Sequence, residues 1–200
     1  MAGETGVDQA AAIRRLDNTL SDSQAVCLQL DIVIGYALDL VRFLTAPGSA
    51  ARQQLIATWS GALAGLEADD TLNICDQLSA LRTRVRLTRL GAADTELVAA
   101  ASARVAEVMA LVQPPALRHA IVNSGAGVLA DAGLLDAAQQ LLQGELAQAR
   151  APYFLLHSLA ALAKRRGQPA AALECYEQAW ACAVGGDAAA VGRGLPAGAA

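Results

Sequence analysis

Two histidines, four cysteines and one arginine-dense run are the residues of this sequence best equipped for chemistry. A zinc site needs three or four converging ligands. His119 and His157 each stand without a Cys, Asp or Glu at ligand spacing, so no metal and no cofactor are expected. Cys27, Cys75, Cys175 and Cys182 form no Cys-x-x-Cys pair. On one helix Cys175 and Cys182 would lie about 10 Å apart, beyond the reach of a disulfide. The four thiols read as small buried hydrophobes, while a bridge between distant cysteines, such as Cys27 with Cys75, stays open. Ser124 in "VNSGAG" lacks the Gly two residues earlier, and the leading strand, that a nucleophile elbow demands. "GAGVLADAG" has no strand before it to make a dinucleotide loop. With no carboxylate pair dividing acid from base, the chain reads as non-enzymatic. The alternative is a thiol-disulfide function exercised through its own cysteines.

Arg82, Arg84, Arg86 and Arg89 follow one another closely, and Arg82, Arg86 and Arg89 share a helix face. They fall in the C-terminal half of their helix, where the macrodipole favours cations. Lys164, Arg165 and Arg166 end another helix in the same way. Solvated, dipole-matched charge accounts for both groups, and a docking site for an acidic partner at Arg82, Arg86 and Arg89 is the functional reading. The net charge of −4 runs against a nucleic-acid partner, which calls for a basic face.

These residues must be positioned by helices. Nearly a quarter of the chain is Ala, the best helix former, and only 4% is aromatic. The most apolar window, "AVCLQLDIVIGYALDLVRFLTA", carries Asp31, Asp39 and Arg42, which makes a buried helix and not a membrane span. Breakers predict helices over about 7–20, 24–45, 49–67, 72–90 with "ADDT" as its N-cap, and 93–112 opened by "AADTE". Four more follow over 115–131, 134–150, 152–166 and 169–183. Residues 1–20 read as a flexible start with one helix and 21–112 as degenerate helical hairpins. Residues 113–184 read as two copies of one unit, and 185–200 as a disordered tail.

The two copies superimpose at an offset of 34 residues, the tetratricopeptide (TPR) period. Ala126 maps to Ala160, Gly133 to Gly167, Ala138 to Ala172 and Leu142 to Tyr176. The alanines let paired helices approach closely, each Gly supplies a left-handed turn, and Leu142 and Tyr176 fill the open end of their pairs. The expected fold is all-α, antiparallel helical hairpins stacked in a TPR-like right-handed array. In the last helix Ala172, Leu173, Tyr176, Ala179, Trp180 and Ala183 form one stripe. A stacked array needs a polar cap on its last repeat, so an uncapped stripe predicts self-association or a protein or peptide partner.

"VLADAGLLDAAQQLL", "APYFLLHSLAALAKRRG" and "AALECYEQAW", with fainter likeness through "DQLSALRTRVRLTRL", resemble the TPR-like C-terminal region of bacterial thioredoxin-family proteins of the disulfide reductase/isomerase type. The resemblance covers about 110 to 140 residues of the chain. In that family the catalytic Cys-x-x-Cys lies in an N-terminal thioredoxin domain. This sequence shows neither the motif nor a βαβ pattern, so the resemblance implies the helical interaction region alone. Localisation would be cytoplasmic for a chain made from this start, and exported for a longer family protein with a signal peptide. The resemblance also implies a further helix after the last one, where the sequence turns to Gly and Ala from Gly185. An out-of-frame translation of a GC-rich gene explains that change, and a native Gly/Ala tail is the plainer reading.

Overall fold

A computed structural model describes residues 36–91, 94–111, 115–149 and 152–183, and all regular structure among them is helical. The helix expected over 7–20, Cys27 and the tail from 185 lie outside these residues. Helix α1 is described over 36–44. It is followed by α2 (Ala50–Glu67), α3 (Ile74–Thr88), α4 (Thr95–Ala110), α5 (Pro115–Asp131), α6 (Leu135–Leu146), α7 (Tyr153–Arg165) and α8 (Pro169–Ala183). No described helix is long and apolar enough to cross a membrane.

Local chemistry sets the boundaries. The side chains of Ser49, Asn73 and Asp94 each accept a hydrogen bond from the backbone N–H three residues on, opening α2, α3 and α4. The α3 cap corrects the expected one. In "ADDT" the Asp69 carboxylate accepts from the Thr71 N–H at 2.9 Å and from the Thr71 hydroxyl at 2.6 Å. That closes a tight turn of its own, and Asn73 takes the N-cap. Helix α6 stops at Leu146, short of the expected Arg150, because the N–H groups of Gln148 and Ala149 turn back to Glu145 and Leu146 in a tighter winding.

The 34-residue offset holds down to single hydrogen bonds. Gly133 (φ 89°) and Gly167 (φ 71°) both take the left-handed conformation. The Gly133 and Leu134 N–H groups donate to Ala130 and Leu129, and those of Gly167 and Gln168 donate to Lys164 and Ala163. Both are Schellman turns, which satisfy the last carbonyls of the first helix while reversing the chain. Ala126, Ala138, Ala160 and Ala172 are all buried. Ile121, Val122 and Val128 of α5 are buried like Leu155, Leu156 and Leu162 of α7 at the same offsets. Helix α7 lies against both α5 and α6, and α8 against α7, so the hairpins stack.

Two apolar clusters share α3. Leu78, Leu81 and Val85 join the main core with α4 to α7, whereas Ala80 and Leu87 face α1 and α2. The smaller cluster is tied by Arg52, 8% exposed, whose guanidinium donates to the carbonyls of Val41 (3.2 Å) and Thr45 (2.9 Å). A positive group there satisfies carbonyls at the C-terminal end of α1, where both hydrogen bonding and the dipole favour it. "SGAG" serves close approach, as its small residues suggest. A Cβ on Gly125 would come within 3.2 Å of Val105, and one on Gly127 within 3.0 Å of the Arg82 guanidinium.

Candidate functional site

Three side-chain constellations lie on this scaffold. In the first, Arg82 of α3 and Arg165 of α7 hold the two carboxylate oxygens of Asp131, at 2.6 and 2.8 Å. Arg89 donates to the Asp131 carbonyl at 2.8 Å and Arg165 to that of Ala130 at 2.7 Å. An acid at a helix C-terminus opposes the dipole; guanidinium groups from two neighbouring helices reverse that penalty and also take the end carbonyls of α5. Arg82 and Arg89 therefore tie helices together while both stay exposed. Arg86 is half-buried between them in sequence and does not take part in this cluster. Arg166 pairs with Asp136 in the same way, leaving Lys164 exposed.

The second constellation brings His119 a carboxylate that its sequence neighbours do not offer. Glu145 of α6 is 4% exposed, and its two oxygens meet Arg118 Nε and His119 Nδ1 of α5, both at 2.8 Å. The partners are 27 and 26 residues away, so no local spacing could announce them. One carboxylate and one imidazole make no metal site, and no metal-holding group of His, Cys, Asp or Glu occurs among the described residues.

The third lies one unit further along. Residue 145 plus 34 is Ala179, and 119 plus 34 is Tyr153. Where the first unit places a buried carboxylate between its helices, the second places a methyl group. The space is left as an open cleft of about 420 Å³, lined by Tyr153, His157, Tyr176, Glu177, Ala179 and Trp180. The His157 ring meets Tyr153 at 6.4 Å, near parallel, and Tyr176 at 5.4 Å, edge to face. Around the cleft large apolar groups face outward: Phe154 and Trp180 are each 69% exposed and Leu173 58%. The repeat positions diverge here. Leu142 is fully buried because α7 covers it, whereas its counterpart Tyr176 is 37% exposed at the end of the described stack.

Thiol chemistry gains little from the fold. Cys75, Cys175 and Cys182 are unpaired and half-buried. Burial pushes the Cys75 thiol up, against a hydrogen bond from Ser124, and burial with the nearby Glu174 pushes Cys175 up. A raised thiol pKa means less thiolate, the nucleophilic form. Comparison with protein-family models, with curated proteins and with solved structures gives no match.

Proposed function

We propose that this chain is a non-enzymatic, TPR-like interaction module that receives a protein or peptide segment on the α7–α8 face. The observation that carries the reading is the contrast between units. Leu142 is buried beneath the next hairpin, whereas its counterpart Tyr176, with Leu173 and Trp180 on the same helix, is left facing solvent. Exposed apolar groups of this size gathered on one face mark an interaction site, and stacked helical pairs offer extended binding surfaces. The resemblance to the C-terminal region of thioredoxin-family proteins supports the same role, in which the redox chemistry belongs to a separate domain. A second copy of this chain and a foreign segment both fit such a face. A displayed-peptide selection on the full chain tests the reading: Leu173→Ala with Trp180→Ala is expected to abolish binding of the selected sequences. Binders indifferent to that pair of changes would place the interaction elsewhere.

A further inference from the structure

The cleft left open by Ala179 has a composition that a general apolar surface does not. Four of its six lining residues, Tyr153, His157, Tyr176 and Trp180, carry aromatic rings, Glu177 adds a carboxylate, and no Lys or Arg among the described residues lines it. Aromatic faces attract cations brought within about 6 Å, most strongly at Trp. A flanking carboxylate adds charge attraction, and the net charge of −4 does not oppose it. About 420 Å³ is room for a side chain with an apolar stem and a flat or compact cationic head. The position also has a precedent within the molecule. In the first unit the corresponding space is a meeting point of opposite charges, with Arg118 and His119 on Glu145. In the second unit Glu177 lines the cleft beside His157, with no Lys or Arg among the described lining residues.

We propose that the cleft between α7 and α8 is a recognition pocket for an arginine or lysine side chain of a partner peptide. Its stem lies along Ala179 and the aromatic rings, and its head lies between those rings and Glu177. The inference rests on the interaction reading and adds the chemistry of the segment's anchor.

The test uses the full chain, ¹⁵N-labelled, with the indole N–H signal of Trp180 as reporter, assigned by its loss in Trp180→Leu. The probes are a capped pentapeptide with one Arg between leucines, the same peptide with uncharged citrulline, and tetramethylammonium chloride. The Arg peptide is expected to move the Trp180 signal with an affinity about tenfold that of the citrulline peptide. Glu177→Gln and Tyr176→Leu are each expected to erase most of that preference. Leu is the residue the first unit carries at the position of Tyr176, so the second change keeps an apolar side chain there and removes the aromatic ring. Equal binding of the two peptides would overturn the cation pocket while leaving the interaction face standing. No shift with either peptide at millimolar concentration would overturn it too. Tetramethylammonium bound as tightly as the Arg peptide would make a free cation the ligand. A dimer in sedimentation that perturbs Trp180 without any peptide would make a second copy the occupant.

Discussion

Single residues in this molecule do work that depends on partners far away in sequence. Glu67, at the end of α2, meets Arg84 at 2.8 Å, yet burial outweighs that attraction and pushes its carboxyl from 4.5 to about 7. Its second oxygen is buried without a partner. Because the folded pKa is raised, the folded chain keeps a proton that the unfolded chain has released. Stability therefore falls as pH rises from about 4.5 to about 7, and stays lowered above that. Contact with solvent limits the effect to about 1 kcal/mol. Urea denaturation at pH 5 and pH 8 should show this loss in the native chain and a flatter response in Glu67→Gln. Asp131 has the opposite character, a charge satisfied from two sides. Asp131→Ala would leave Arg82 and Arg165 without their shared acceptor, at a cost of about 2 kcal/mol given that both guanidiniums keep some solvent. An unchanged urea midpoint for that variant would show the cluster to be ornament.

At the scale of helices and their turns, equivalence between the two hairpins is itself measurable. Gly133 and Gly167 occupy the same Schellman position, with positive φ and open space where a Cβ would go. Gly133→Ala and Gly167→Ala should therefore each cost about 1 kcal/mol, through backbone conformation alone. Unequal costs in denaturant titrations would mean the two turns are not copies. This level was the one most open to reading from sequence: the offset of 34 predicted the turns, the buried alanines and the limits of α5 and α8 from residue types. Side-chain competition within a few residues was harder, as Asp69 shows by folding "ADDT" into its own turn and passing the cap to Asn73. Hardest were the ties across helices. Arg82 reaches Asp131 over 49 residues and Arg118 reaches Glu145 over 27, distances at which no local spacing announces a partner. The α7–α8 cleft was half legible. Its stripe is written in α8, but the space also needs Tyr153 and His157 brought alongside by α7.

Over the whole molecule, what a residue contributes is decided by its place in the stack as much as by its type. Leu142 and Tyr176 hold one position in the repeat, but the helix of the first packs against both α5 and α7, whereas α8 packs against α7 alone among the described helices. Leu142→Ala should open a cavity in the main core at a cost of about 2–5 kcal/mol. Tyr176→Ala removes a larger side chain, but one already in contact with water, and should cost less than about 1 kcal/mol. The same asymmetry bears on local opening, because an end element with few covering contacts opens at lower free energy than one packed on both sides. Amide exchange should therefore be faster over 172–182 in α8 than over 121–130 in α5, although both helices are regular and both belong to a repeat. A segment seated on the α7–α8 face would supply the missing neighbour, and should slow exchange in α8 while leaving α5 unchanged. Equal protection of the two helices in the free chain would mean that α8 is already covered, and would remove the physical reason for a partner there.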